Sequence, residues 1–187
     1  MTAVDLSEEM LDRLKENARQ SHLPIEVLKA DFREIPEKVN DRFDGIVSLG
    51  NSIAHILKDE EINHILAGFH SMLNPGGVLF LQLLNYDRIM KNAERIQSIR
   101  KSGDSTLVRF YDFCNGRLYF NLLKIRESED GMTHSLNNVE LRPFLRDEMS
   151  KFLQKNGFKE PSFYGSLEWE GFDKESYPNL VIVAERK

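Results

Sequence analysis

Apolar runs and amphipathic stretches alternate along the first half of the chain. Thr2-Ala3-Val4-Asp5-Leu6 reads as the end of a short buried strand. Ser7 follows as a helix cap, with Glu8 and Glu9 in the first turn, where the helix dipole favours acids. Met10, Leu11, Leu14 and Ala18 recur at helical spacing. The pattern breaks at Ser21-His22-Leu23-Pro24, and Ile25–Ala30 predicts a second strand. A loop through Asp31–Pro36 leads to a third strand near Phe43–Leu49. From about Asp59 to Leu73, Ile62, Ile65, Leu66 and Phe69 share one helix face, and Asn74-Pro75-Gly76-Gly77 signals its end. Gly77–Leu84 is nearly all apolar, as a strand buried on both faces would be. This order predicts an α/β fold with right-handed crossovers and a mostly parallel sheet.

After Leu84 the pattern changes. A polar helix is predicted over about Tyr86–Arg100. Ser105–Phe113 and Arg117–Arg126 then flank Asn115-Gly116, a strong hairpin signal. A third extended piece, Met132–Pro143, follows Asp130-Gly131, so that 105–143 reads as an antiparallel insertion placed to form a lid. Arg146–Asn156 is helical by spacing and Gly157 ends it; Lys159–Leu167 and Leu180–Glu185 predict a final strand pair. With no repeat, low-complexity stretch or linker, 1–187 reads as a single domain.

Composition narrows the classes. Of 187 residues, 41% are apolar and 29% charged, which fits a globular chain rather than a disordered one. The formal net charge of -5 argues against nucleic acid as a partner. No apolar run approaches the ~20 residues of a membrane span. One cysteine, Cys114, and no Cys/His cluster at zinc spacing imply a reducing cytoplasm and no structural metal.

In open α/β sheets, ligands bind beyond the carboxyl ends of the strands. Asp5 ends the first strand, where a carboxylate can accept from two ribose hydroxyls. Asp31-Phe32 follows the second, where an acid suits an exocyclic amine and an aromatic face suits a purine. Gly50-Asn51-Ser52 follows the third, where glycine lets backbone approach a ligand and Asn offers a donor and an acceptor. Each has a plainer reading: Asp5 as a cap, Asp31 as a turn former, Phe32 as core, Gly50-Asn51 as a turn and His55 as an ordinary surface or core histidine. Three such strand ends in one sheet favour a site.

The stretches TAVDLSEEML, KADFREIP, FDGIVSLGNSIAH, MLNPGGVLFLQLLNYDRI and, more loosely, LRPFLRDEMSKFLQKNGF resemble class I S-adenosylmethionine-dependent methyltransferases, in particular the glycine/sarcosine N-methyltransferase-like branch. The resemblance implies a Rossmann-like methyltransferase sheet with an antiparallel C-terminal part and a β-hairpin insertion. It implies S-adenosylmethionine as cofactor and a small-molecule acceptor, an amine. Residue by residue, Asp5, with Leu6 beside it, would hold the ribose. Asp31 and Phe32 would frame the adenine. Leu49, Gly50, Asn51 and Ser52 would lie along the methionine part and the transferred methyl, with His55 nearby. Asn85-Tyr86-Asp87 would close the far side of the acceptor pocket, making Asn51, His55 and Tyr86 the candidates nearest the chemistry.

Two departures stand out. The family's first central strand and glycine-rich loop would precede Asp5 by about twenty residues, ahead of Met1. The expectation is therefore a start downstream of the true one, flanking strands that close up and pair directly, or a second chain that supplies pairing in a homodimer. The glycine-specific relatives also carry an arginine just before the Asn-Tyr-Asp triplet to clamp a carboxylate, whereas this chain has Leu84, which argues against glycine as the substrate.

Methyl transfer from a sulfonium is an in-line displacement needing alignment rather than a protein nucleophile, consistent with no Ser/His/Asp or Cys/His constellation. Within the insertion, Arg109, Tyr111, Arg117, Tyr119 and Arg142 read as an exposed, salt-bridged strand face. The rival reading is a catalytically inactive methyltransferase-like subunit with an interaction or regulatory role. A nicotinamide oxidoreductase also uses an acidic strand end, but gives the Asn-Ser-x-x-His and Pro-Gly-Gly contexts no role.

Overall fold

The first strand, β1 (Thr2–Asp5), runs into helix α1 (Glu8–Gln20), which Ser7 caps by accepting from the Met10 amide. The structure, a computed structural model, describes residues 1–129 and 131–187, so the Asp130 half of the Asp130-Gly131 turn lies outside the described residues. Helix α1 buries Leu11 and Ala18 and crosses over to β2 (Glu26–Lys29), which pairs with β1 in parallel. A 3₁₀ turn (Phe32–Glu34) and the short α2 (Ile35–Lys38) lead to β3 (Phe43–Ser48). After a second 3₁₀ turn (Ser52–His55), helix α3 (Asp59–Met72) returns the chain to β4 (Leu73–Leu84), parallel to β3.

The second half contains α4 (Tyr86–Asn92), four strands β5 (Ile96–Ser102), β6 (Ser105–Cys114), β7 (Arg117–Ser128) and β8 (Gly131–Leu141), then α5 (Arg146–Lys155), β9 (Ser162–Tyr164) and β10 (Asn179–Glu185). Strands β5 to β8 form an antiparallel meander. Asn115 and Gly116 both take positive φ (52° and 75°) at the β6–β7 turn, which matches the right-handed twist of the flanking strands. Strand β10 pairs antiparallel to β4, and β9 to β10.

Ile62, Ile65, Leu66 and Phe69 of α3 meet Leu79, Leu81 and Leu83 of β4 in the core, and Met149, Phe152 and Leu153 of α5 close it. Leu81 is 1% exposed, so truncation to alanine costs about 2–5 kcal/mol.

Three expectations change. The sheet is divided rather than continuous, with parallel pairing at β1–β2 and β3–β4 and three separate hydrogen-bonded groups: β1-β2, β3-β4-β10-β9 and β5-β6-β7-β8. Among the described residues β1 bonds only to β2 and β3 only to β4, so these flanking strands do not close up and pair. Side-chain packing holds the β1–β2 ribbon instead, through Val4, Leu28 and Phe32 against the core. The polar helix stops at Asn92 because Ala93 turns left-handed (φ 48°), and the following residues pair with β6, Ser98 opposite Arg109 and Ile99 opposite Val108. A tertiary strand partner thus overrides the helical pattern expected to Arg100. Strand β4 buries Leu79, Leu81 and Leu83, while Val78, Phe80, Gln82 and Leu84 on the other face are half-covered. The reason is that α1 packs on β1 and β2 rather than over that face of β4. No helix among the described residues is long and apolar enough to cross a membrane.

Candidate functional site

At the carboxyl end of β3, Gly50 and Asn51 are both left-handed, with φ of 71° and 68°. Asparagine tolerates this conformation better than most side chains, and glycine does so freely. A Cβ placed on Gly50 would meet nothing within 4 Å, so the turn leaves open space over its backbone. The turn is tied firmly underneath. The Gly50 amide donates to Gln82 Oε1 at 3.0 Å, and the Asn51 amide to the Gln82 carbonyl at 3.1 Å. Asn51 Nδ2 donates to the Tyr86 hydroxyl at 2.8 Å, and Asn51 Oδ1 accepts from the Leu84 amide at 3.0 Å. Gln82 Nε2 in turn donates to Asn179 Oδ1 on β10 at 3.3 Å.

This brings Asn51 and Tyr86 into direct contact, in a supporting arrangement. Tyr86 is fully buried, and that burial pushes its phenol well above its ordinary pKa, against the opposing effect of the Asn51 hydrogen bond. Ser52 Oγ donates to the Leu49 carbonyl at 3.0 Å, and Leu49 itself is exposed. His55 ends the 3₁₀ turn, exposed and without a hydrogen bond among the described residues. The flanking residues of the Asn-Tyr-Asp triplet have structural duties. Asn85 is buried, caps α4 and donates to the carbonyls of Lys174 and Tyr177, while Asp87 accepts from the Arg146 amide.

The ends of β1 and β2 are joined by the Ala30 amide, which donates to the Asp5 carbonyl at 3.2 Å. Asp5 is exposed; its Oδ1 accepts from the Ser7 amide at 2.8 Å, and its Oδ2 has no partner among the described residues. Leu6 beside it is exposed. Asp31 is occupied differently. It caps the first 3₁₀ turn in a capping box with Glu34, and its carboxylate receives Arg33 Nε at 2.7 Å and Nη2 at 2.8 Å. That guanidinium holds the Asp31 carboxyl below its usual range, partly offset by desolvation. The turn-forming reading of Asp31 is therefore what the fold builds. Phe32 is half-buried, edge-on to Phe69 at 6.0 Å between ring centroids.

Sequence reasoning missed Gln82 and Asn179. Gln82 was visible as the one polar side chain in the apolar run Gly77–Leu84, and Asn179 as the polar residue opening the last strand. It also misread part of the insertion. Arg117 does pair with Glu140 on the exposed strand face, whereas Arg142, just past β8, pairs with Asp59 and Glu148 while largely buried against Phe144 and Phe152. Arg109, however, has no ionic partner among the described residues, and Tyr111 is 1% exposed. Both line a hollow of about 330 Å³ at the carboxyl end of β4, with Leu84, Asn179, Arg88, Ser98 and Arg100 around it. Burial, helped by Glu94, pushes the Tyr111 phenol up to about 12. A larger hollow of about 400 Å³ lies at the amino ends of β1 and β2, away from all these groups.

A family described as "Methyltransferase domain" matches residues 1–77. The chain is 30% identical over 189 residues to a glycine/sarcosine N-methyltransferase of Halorhodospira halochloris, an alignment covering 100% of this chain and 67% of that protein. It is 28% identical over 187 residues to a glycine/sarcosine N-methyltransferase of Aphanothece halophytica, covering 100% of this chain and 68% of the other. Among solved structures, an S-adenosylmethionine-dependent methyltransferase from Clostridium acetobutylicum ATCC 824 superposes with a TM-score of 0.81 at 16% identity, covering 99% of this chain and 74% of that one.

Proposed function

The chain belongs to the class I S-adenosylmethionine-dependent methyltransferases, with S-adenosylmethionine as its cofactor, and we propose that within this family it methylates a small-molecule amine. The observation that carries the reading is the left-handed Gly50-Asn51 turn, open above and bonded below. The residues present fit the cofactor: Gly50 offers unobstructed backbone, and Asp5 keeps one carboxylate oxygen free for a hydroxyl donor. In this reading Asp5 and Leu6 hold the ribose, Asp31 and Phe32 flank the adenine, and Leu49, Gly50 and Ser52 face the methionine portion. Bound there, the cofactor supplies an electrophilic methyl group on a sulfonium.

The protein's own task is then alignment and exclusion of water, which together account for much of the rate enhancement in such displacements. Asn51 and Tyr86 are positioning residues. Their mutual hydrogen bond fixes the turn against β4 and orders the backbone beside the reacting atoms. In this reading His55, exposed at the end of the same turn, contacts the acceptor. An amine attacks only as a neutral lone pair, and its proton leaves to water after methyl transfer, so no protein nucleophile is needed. The names of the two curated relatives support an amine acceptor.

The test has two parts. Calorimetric titration with S-adenosylmethionine and S-adenosylhomocysteine should give micromolar affinities. Labelled-methyl transfer should then occur to at least one member of a panel of small primary and secondary amines. Absence of binding at millimolar cofactor would instead favour a non-catalytic subunit. Binding with no transfer to any amine, but transfer to a hydroxyl or thiol, would overturn the amine reading.

A further inference from the structure

The four strands β5 to β8 present two faces of opposite character. One face buries Tyr111, Leu118 and Leu141 in the core and, further out, carries Arg100, Arg109 and Lys124. The other holds an apolar row that crosses all four strands: Ile99 opposite Val108, Val108 opposite Leu123, and Leu123 opposite Leu136. Phe110 and Ile125 flank the row on either side along β6 and β7. Its two ends stand in solvent, Ile99 65% and Leu136 55% exposed, and none of these six residues joins the core or packs against it. An antiparallel sheet normally puts its apolar face under cover and its polar face in water. In the outer part of this sheet the apolar face has no second layer from the core.

The lysine, arginine and acidic side chains on that face are already matched. Lys101 pairs with Glu127 at 3.8 Å, Arg117 with Glu140 at 3.5 Å, and Asp112 with Arg95. The face therefore offers an acidic or basic partner nothing to select, and it can meet its own copy without burying an unpaired charge. Strand β8 adds a separate indication. Gly131–Leu141 forms a sheet edge with no lysine, arginine, proline or register shift, the devices that suit an edge to open solvent. The extent of the face is sufficient for association. Strands β6, β7 and β8 are 10, 12 and 11 residues long. At about 4.8 Å between strands and about 3.4 Å per residue, the four-stranded face covers about 600 Å². Stacked on a copy of itself it removes about 1,200 Å² in total, the lower end of the range for stable, specific interfaces.

We propose that this face is the interface of a homodimer, in which the Ile99-Val108-Leu123-Leu136 row packs against the same face of a second copy about a two-fold axis. The two sheets then stack about 10 Å apart, and the apolar residues of each supply the layer the other lacks. The contact is made between side chains of stacked sheets, so it needs no strand added at an edge. Nothing in it depends on the identity of the methyl acceptor.

Sedimentation equilibrium of the full chain tests this. The protein should dimerise with a dissociation constant of about 10 μM or tighter. Ile99→Glu and Leu136→Lys, both at exposed positions, should each weaken association tenfold or more. Far-UV circular dichroism and the denaturant midpoint of dilute protein should stay at the wild-type values, showing that the monomer still folds. Two further variants serve as controls. Asn137→Lys alters the neighbouring residue of β8, which belongs to the opposite face, and Leu23→Glu alters an exposed apolar residue just past α1. Both should leave association within about twofold of wild type, since an exposed substitution away from the contact has little effect. A chain that stays monomeric at about 100 μM would overturn the proposal, as would an assembly that survives both Ile99→Glu and Leu136→Lys. Association lost in Asn137→Lys and Leu136→Lys but kept in Ile99→Glu would also overturn it, by showing that copies pair along the β8 edge instead.

Discussion

The two sides of the candidate cleft are built on different principles. The turn after β3 is fixed by residues far away in sequence: Gln82 at a separation of 32, Tyr86 at 35, and Asn179 through Gln82 at 97. The ends of β1 and β2 are fixed by neighbours. Asp5 bonds the amide two residues on, and Asp31 bonds Arg33 and shares a capping box with Glu34. The first side is part-buried and rigidly specified, as a surface that aligns reacting atoms must be. The second is more exposed, and its carboxylates keep their freedom or trade it with a nearby cation. The contrast separates alignment from affinity: disturbing the distal network should change the fold and the turnover, and disturbing the local one should change cofactor binding.

The largest effect is expected at Asn51. Asn51→Ala removes both side-chain bonds, leaves the Tyr86 hydroxyl unpaired in the core and strains a left-handed residue, for a loss of about 2–4 kcal/mol. Denaturant unfolding measures this, and methyl transfer should fall in parallel. Asn51→Gly, which relieves the backbone strain, should recover about 1 kcal/mol of it. If both variants matched the wild type in stability, the two sides of the cleft would not differ as argued.

Asp5→Ala should leave stability within about 0.5 kcal/mol while weakening S-adenosylmethionine about tenfold, or ~1.4 kcal/mol. A large drop in stability with unchanged affinity would reverse the assignment of the two sides. Tyr86→Phe keeps the core filled and deletes only the acceptor for Asn51. It should cost about 1 kcal/mol, with a lower turnover at nearly unchanged cofactor affinity.

The smallest effect concerns the Asp31–Arg33 pair, whose arginine is about half exposed. Arg33→Met should cost no more than about 1 kcal/mol at neutral pH. Because Arg33 depresses the carboxyl pKa, that contribution is present above the ordinary carboxylate value of about 3.9 and disappears as pH falls through the lower folded value. Wild type and Arg33→Met should therefore converge in stability below about pH 4, and the Asp31 titration followed by NMR should move upward in the variant. Cofactor affinity should hold or improve as the carboxylate is released; a tenfold loss would make Arg33 itself the adenosine contact.

Legibility in the sequence follows the same division. Helix α1 with its Ser7 cap, the α3 stripe and the Asn115-Gly116 hairpin depend on residues a few positions apart, whose capping, dipole and turn preferences act within one or two turns of chain. The positions of Asp5 and Asp31 at neighbouring strand ends, and the resemblance to methyltransferases, were readable for the same reason. Strand β5 was not, because Tyr86–Arg100 carries a polar helical pattern whose second half becomes extended only when β6 offers it hydrogen bonds. The role of Gln82 was equally hidden: a polar residue in an apolar strand signals a partner but not which one. The sequence by itself determined the local conformations and the types of residue at each strand end. The tertiary structure alone decided which of the distant ones meet: that Asn51 is held by Tyr86 and Gln82, and that Arg109 and Tyr111 turn inward to a hollow beside Leu84. Local hydrogen bonds are set by residues already close along the chain, whereas these contacts exist only once the burial of Leu79, Leu81 and Leu83 has brought distant segments together.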